Sequence, residues 1–508
     1  MNSLPLLSLI VFTPWVGALL LALFPRLSAG PARGLALFFS LSTLALGTTA
    51  LAAFDAANPA LQFVEKSAWI RALNVNYHLG LDGLSLVLVL LTGLIAPVAI
   101  FGTTRAARQP ALYGALFLFL QGAALGVFLA QDFFPWFIFW ELSLVPAFFL
   151  VKLWGGPGAT RAAYQFVIYT IGGSAFMLLA FAALYAATGT FDFVQLAALA
   201  RDGQLTDALK HLGPFWPQVV FLGVFLGLAV KVPLFPFHTW LPPAYAEAPT
   251  GASMFLTGVL SKMGVYGFLR LLWPLFPTQL HAAAPCLVWL AVAGVVLGAY
   301  AALKQTDVKR MIAYSSVNHL SYCLLALFAV AGASGRAGEA QAAALSGAIL
   351  QMFNHGLSAA ALFFCAGVLE TRAGKRGLAD FGGVRTAAPI FAALCGISMF
   401  SSLGLPGLNG FVGEFLIFRG VFGLAPWAAA VSTLGLLATA IFLLTFWQRV
   451  FHGPSAGGGV AFRDLSGEEI TTLVPLIVLM FVLGIVPQLL AGLINPLVNH
   501  WVSLLPLH

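Results

Sequence analysis

Charge is what this 508-residue chain has least of: Asp, Glu, Lys and Arg make up 8% of it, against 60% apolar residues. A water-soluble protein of that balance could not cover its own surface, so a soluble enzyme or binding module is excluded. Cysteine is scarce too. Cys286, Cys323, Cys365 and Cys395 all fall inside apolar stretches with no CxxC spacing, which leaves no ligand set for zinc, haem or an iron–sulfur cluster. Each reads as a small buried hydrophobe. No dinucleotide-binding fingerprint and no evident quinone pocket is present. The 24 Lys and Arg behind the formal charge of +7 are scattered through short loops, so nucleic acid is not a partner. The basic start of a secretory signal is missing as well, and the apolar stretch from Leu4 to Phe24 is too long for one, so it is expected to be a retained helix.

What the chain does have is long apolar runs. A spanning helix needs roughly 20 predominantly apolar residues. Fourteen runs of about that length lie between charged or Pro/Gly-rich breaks, near 4–24, 34–54, 81–101, 112–131, 133–152, 164–187, 216–240, 251–273, 285–303, 311–332, 342–370, 387–421, 425–450 and 470–497. The expected fold is an all-α polytopic membrane protein of about 14 transmembrane helices, one domain over residues 1–508, with the lipid bilayer as its surroundings. Segments 55–80 and 191–214 are more polar and broken by Pro, Gly and Asn, and are expected to be extramembrane loops with room for short surface elements.

An even number of helices puts both termini, Met1 and His508, on one side. Loops after odd-numbered segments hold fifteen basic residues, from Arg26, Arg33 and Arg105 through Lys309, Arg372 and Arg376 to Arg463. Those after even-numbered segments hold seven: Lys66, Arg71, Arg201, Lys210, Arg270, Arg336 and Arg419. The positive-inside rule then places the odd loops in the cytoplasm and both termini outside it.

A lysine or carboxylate at the bilayer centre costs about 2.5–3.5 kcal/mol on insertion scales, so such residues mark ion pathways. Glu141 is the ninth residue of the 133–152 run and Lys262 the twelfth of 251–273. His319, His355 and Glu414 also fall well inside their runs. Singly, each has a plain explanation: a buried histidine bonded to a carbonyl, a glutamate tying two helices. With Lys231 they form a set of six ionisable groups of both signs on separate helices, which suits a relay in which protons hop between mutually responsive groups. Lys152, which ends its run, is expected to snorkel to the surface.

Lys231 lies in KVPLFPFHTWLPPAY, where Pro233, Pro236, Pro242 and Pro243 interrupt a spanning segment. Proline removes a backbone donor, leaving carbonyls that a cavity, water or a side chain must satisfy at that depth. A second interruption, SSLGLPGLNGFVGEF, places Pro406 and its neighbouring glycines ahead of Glu414. These are the seventh and twelfth runs, five apart, and paired broken helices in corresponding places point to a transport site at a repeat interface.

In chain order, FWELSLVP, KVPLFPFHTWLPPAYAEAPTGAS, LSKMGVYGFLR, DVKRMIAYSSVNHLSY, HGLSAAALF and LPGLNGFVGEF closely resemble the antiporter-like subunits of NADH:quinone oxidoreductase (respiratory complex I), the M type above all. The resemblance covers nearly the whole chain. It implies two inverted five-helix repeats, about 112–273 and 285–450, with discontinuous helices 7 and 12 around a hydrated axis. It also implies proton translocation in a bacterial inner membrane, with L-type and N-type antiporter-like subunits as neighbours. NADH, FMN, iron–sulfur clusters and quinone would belong to partner subunits and no cofactor to this chain. Glu141 resembles the carboxylate that modulates Lys231, Lys262 the central relay lysine, and His319 and His355 the connecting histidines. In the cycle this implies, Lys231 gives up its proton when Glu141 moves away and recovers it when the pair reforms. Glu414 matches the terminal group, where L and N types usually carry lysine. The lack of a long lateral helix after the fourteenth run also sets the chain apart from the L type. The alternative is a subunit of an Mrp-type Na+/H+ antiporter or of a membrane-bound hydrogenase, which share the broken helices; Glu414 argues against both. A membrane spacer without transport would leave six costly groups unexplained.

Overall fold

In hydrocarbon a backbone amide has no water to bond, and a helix satisfies its N–H and C=O groups within one segment. The apolar runs therefore become helices. The computed structural model describes residues 5–103, 108–333, 335, 338–454 and 462–504; Leu4, Arg105, Arg336, Met1 and His508 lie outside the described residues. The chain runs through α1 (Leu6–Leu23), α2 (Ala29–Ala53), strands β1 (Gln62–Ile70) and β2 (Val75–Leu81), then α3 (Gly83–Phe101), α4 (Pro110–Leu129), α5 (Phe133–Trp154) and α6 (Ala159–Thr188). Two short helices, α7 (Phe193–Arg201) and α8 (Gln204–Leu212), precede α9 (Trp216–Lys231), α10 (Leu241–Glu247), α11 (Thr250–Leu275), α12 (Pro277–Leu303), α13 (Val308–Ala331) and α14 (Gly338–Ala373). The last are α15 (Pro389–Ser402), α16 (Asn409–Leu424), α17 (Pro426–Phe451), α18 (Gly467–Ile485) and α19 (Gln488–Ser503).

Among the described residues, twelve helices are long and apolar enough to cross a membrane. The two runs absent from that dozen are the seventh and the twelfth, each broken in two. Burial sorts the rest into layers. In α11, α13 and α14 the most apolar stretch is 94%, 94% and 100% buried within the chain, against 28% in α2 and 33% in α18. The inner three carry Lys262, His319 and His355; the outer helices turn apolar faces outward.

Four details depart from the sequence expectation. The 55–80 loop is an antiparallel hairpin pairing Lys66 with His78 and Ala68 with Asn76, turned by Asn74 at φ 48°, a left-handed conformation that asparagine tolerates. The fold is thus all-α apart from this ribbon. The last run, 470–497, is interrupted at Val486, whose φ of −125° and ψ of 64° leave the helix ahead of Pro487, as pre-proline sterics dictate. Thr472 and Leu493 nevertheless lie against Gly102 and Gly83, so α18 and α19 follow one another along α3. Within α11, residues Leu256–Leu260 and Phe268–Leu272 form π turns. Arg270 and Lys309, counted as loop charges, sit inside helices and are ion-paired with Asp82 and Glu370.

The hairpin is fastened by carboxylates. Glu65 accepts from the backbone N–H groups of Leu7 (2.7 Å) and Ser8 (3.1 Å), capping α1, whose own N-cap, Pro5, supplies no side-chain bond. Asp192 accepts from Lys66 Nζ at 2.7 Å and lies 2.8 Å from His78 Nδ1, while capping α7 through Val194 and Gln195. Burial alone would raise the Asp192 pKa, but these donors outweigh it and hold the carboxyl at about 2. A carboxylate with a depressed folded-state pKa contributes stability that is complete above its unfolded value of ~3.9 and fades as pH falls toward the folded one. Hydrogen exchange of residues 62–81 should therefore be as slow at pH 5 as at pH 7, rise as pH falls through about 2, and be fast at pH 7 in Asp192→Asn. Unchanged protection in that variant would show that the latch holds nothing.

Candidate functional site

The first break leaves Lys231 as the last residue of α9. The chain continues through a turn over Phe237–Trp240 into α10, and the indole N–H of Trp240 donates to the freed carbonyl of Val230 at 2.9 Å, so a side chain replaces the helical partner. The break seats against α11 at Gly264, where a Cβ would stand 2.4 Å from Val232 Cγ2 and 2.8 Å from Val232 N. Lys231 is 2% exposed, and its Nζ has no hydrogen-bond partner in the protein. The ammonium lies 5.0 Å from the ring of Trp140 and lines a small cavity with Phe166, Trp240, Tyr245 and Ser261, which has room for about one water. Glu141, next to Trp140, is the carboxylate whose charge reaches Lys231, yet no ion pair within 4 Å joins them. Glu141 Oε1 is itself buried without a partner, so this is the pair in its separated state.

Lys262 follows the first π turn of α11 and is fully buried. Its Nζ donates to the carbonyl of Thr257 at 2.5 Å and lies 2.8 Å from His355 Nδ1 on α14. The His355 and His319 rings are 5.2 Å apart between centroids at 41°. On the far side, His319 Nδ1 is 3.1 Å from Glu414 Oε1 on α16. Gln351 Nε2 bridges these two, 3.5 Å from His319 Nδ1 and 3.3 Å from the same glutamate oxygen. Four of the six expected residues thus form one line across α11, α14, α13 and α16, while Lys231 and Glu141 face each other behind Ser261.

The second break is held by amides. Gly404 and Gly407 take φ of +80° and +94°, open to glycine at little cost. Beyond them Asn409 donates to the carbonyl and side-chain oxygen of Asn354, accepts from Asn354 Nδ2 at 2.7 Å through its own carbonyl, and accepts from Ser401 Oγ at 2.6 Å. The unwound strand is thereby pinned to α14, one residue from His355. Glu414 then emerges five residues into α16, 6% exposed.

Sequence reasoning that looked only for ionisable groups missed Gln351, Asn354, Asn409, Thr257 and Trp240. A signal was available for the first: Gln351 stands four residues before His355 on an apolar helix, hence on its face, and an amide there needs a partner as a charge does. Nothing in the local sequence announces the carbonyl of Thr257, which is exposed by a π turn.

A family profile described as NADH:quinone oxidoreductase/Mrp antiporter, TM, matches residues 130–441, a range that contains all six ionisable residues. The chain is 37% identical to NADH-quinone oxidoreductase subunit M of Rhodobacter capsulatus, over 98% of its own length and 96% of that protein's. It is 35% identical to subunit M of Mycobacterium tuberculosis (strain CDC 1551 / Oshkosh), over 100% and 96%. A chain of respiratory complex I from Thermus thermophilus with bound NADH superposes with a TM-score of 0.84 at 31% identity, covering 98% of this chain and 100% of that one. A chain of the Mrp complex from Dietzia sp. reaches 0.83 at 20% identity over 100% of both, a likeness of fold alone. With identity above a third sustained end to end and the broken helices in register with the family profile, the chain belongs to the NADH-quinone oxidoreductase subunit M family.

Proposed function

We propose that this chain translocates protons as a membrane-arm subunit of a bacterial inner-membrane NADH:quinone oxidoreductase, with Glu141, Lys231, Lys262, His319, His355 and Glu414 as the exchanging groups. The observation that carries the proposal is the line of contacts Lys262–His355–His319–Glu414 between two broken helices. Lys262 can give a proton to His355 Nδ1. His319 presents an Nε2 without a protein partner to receive one, and its Nδ1 hands a proton to Glu414 Oε1. Each transfer leaves the donor neutral and ready to be refilled. Coupling along the line is electrostatic: unit charges ~4 Å apart interact by about 4 kcal/mol at an effective dielectric of 20, enough for a proton on one residue to govern its neighbour. Lys231 Nζ, Glu141 Oε1, His319 Nε2 and Gln351 Oε1 are buried without protein partners. Each would cost about 1–3 kcal/mol if dry, which supports a hydrated axis.

Driving energy comes from elsewhere in such a complex. NADH, FMN, iron–sulfur clusters and quinone are assigned to partner subunits, and L-type and N-type antiporter-like subunits to the flanks of this one. Two inverted repeats, about 112–273 and 285–450, and both termini outside the cytoplasm complete the reading. Identity of 35–37% to subunit M proteins favours it over an Mrp-type antiporter, to which only the fold is similar.

Glu414 supplies the test. Glutamine keeps its shape but not its acidity, so Glu414→Gln should slow coupled turnover about tenfold as a proton-transfer group is lost, while Glu414→Lys, which restores a titratable group, should retain more activity. Packing alone demands the opposite order. Quinone reductase activity and proton uptake, measured with the purified complex in vesicles, decide between them: an intact Gln enzyme with a dead Lys enzyme removes Glu414 from the pathway.

A further inference from the structure

One buried lysine lies outside the six. Lys309, on the second turn-face of α13, is 2% exposed, and its Nζ lies 2.5 Å from Glu370 Oε2 near the C-terminal end of α14. Glu370 is 33% exposed and also lies 3.8 Å from Arg376, which is tied to Asp307 at 3.1 Å and Glu247 at 3.0 Å. Arginine therefore organises the outer side of the cluster, and the lysine points inward. There it donates to the carbonyl of Ala248 at 3.4 Å. The same carbonyl accepts from Ser253 Oγ at 3.1 Å. Four residues on, one turn along α11 and on the same face, Thr257 bonds Ser316 Oγ through its hydroxyl at 3.0 Å and receives Lys262 through its carbonyl at 2.5 Å. Ser253, Thr257 and Ser316 are all fully buried.

We infer that Glu370 and Lys309 form the intake through which protons from the basic-loop face reach Lys262, by way of the hydroxyls of Ser253 and Thr257. This rests on the reading of Lys262 as a relay group. Hydroxyls both donate and accept, so they pass protons on, whereas the Ala248 carbonyl only accepts and serves to aim the groups. The interval of one turn between Ser253 and Thr257 is of the size that a water molecule bridges. In the step itself, Glu370 takes a proton from water at its exposed side and becomes neutral, which frees Lys309 from the ion pair. Lys309 passes one ammonium proton inward toward the Lys262 amine and then recovers one from the Glu370 carboxyl. Both groups return to their starting charge, and one proton has moved.

A latch between helix ends would use the same ion pair, but it would not need a lysine that deprotonates. Lys309→Arg separates the two, because arginine keeps the charge and the pairing with Glu370 yet does not give up a proton. In the purified complex in vesicles, Lys309→Arg and Glu370→Gln should each lower proton uptake and coupled quinone reduction by about tenfold or more, with assembly unchanged, and Glu370→Asp should restore most of the rate. Wild-type uptake in either Lys309→Arg or Glu370→Gln overturns the inference. Should the longer arginine prevent assembly, Ser253→Ala takes its place: it leaves the ion pair intact, is expected to be as slow, and overturns the inference if it pumps normally. Lys231→Ala run alongside keeps the outcomes distinct. If it too pumps normally, the relay reading has failed; if it is dead while the intake variants are normal, the intake alone has.

Discussion

Lys262→Ala should abolish proton translocation while leaving the complex assembled. The side chain is fully buried and makes two polar contacts, to the Thr257 carbonyl and to His355 Nδ1. Truncation leaves the carbonyl with Ser261 Oγ, which already donates to it at 2.8 Å, so His355 Nδ1 is the group left short, at a cost of about 1–3 kcal/mol. A helix buried over 94% of its apolar stretch can bear that loss. Function cannot, because the line then starts at a histidine with no supplier. A fall of at least ~10²-fold in coupled turnover is expected, the lower range for a lost proton-transfer group. Lys262→Arg should do no better than alanine, since a permanent cation holds the contacts but releases nothing. Proton uptake in vesicles and complex assembly on native gels are the two measurements. An arginine variant that pumps would reduce Lys262 to a fixed charge.

Lys231→Ala should be nearly as severe for pumping but opposite in its effect on stability. The ammonium is 2% exposed and its Nζ has no hydrogen-bond partner. Charge at such depth costs about 2.5–3.5 kcal/mol on insertion scales, and removing an unpaired buried charge relieves that cost. The variant should therefore unfold at the same temperature as the parent or a higher one, while proton uptake is lost. Glu141→Gln should be about as damaging to uptake, and Glu141→Asp should keep part of it by keeping the charge that reaches Lys231. If the Gln and Asp variants behave alike, the electrostatic coupling of this pair is wrong. If Lys231→Ala is destabilised, the ammonium has a partner in the assembled complex that the isolated chain does not show.

Much of this arrangement is legible in the residues. Costly charges announce themselves against an apolar background, and Lys231, Lys262, His319, His355 and Glu414 are all found buried. Prolines forecast both central breaks, because a missing donor acts locally. What stayed hidden depends on partners distant in sequence. The hairpin at Gln62–Leu81 is fastened by Asp192 and by the start of α1, neither of which a local reading can see. Pro487 signals the break in the last run as plainly as Pro406 does for the twelfth, but no charge beside it drew attention. Counting Lys309 as a loop charge failed for a different reason. It stands one residue into α13, where a lysine ordinarily reaches water, and only Glu370 of α14 turns it inward.

The two π turns of α11 make that helix something like a vernier. Each holds one residue more than the α-helical turn beside it, and every residue of an α-helix advances the rotation by about 100°. Lys262 lies just after the first turn and Arg270 inside the second, where it meets Asp82 at 2.6 Å. Losing a single residue between Leu256 and Leu260 would restore a plain α-helix without moving its axis. It would also swing everything downstream by about 100°, taking Lys262 from His355 and Arg270 from Asp82 together. The phase of this helix is therefore a heritable quantity in its own right: substitutions can drift along it, but its length in residues cannot.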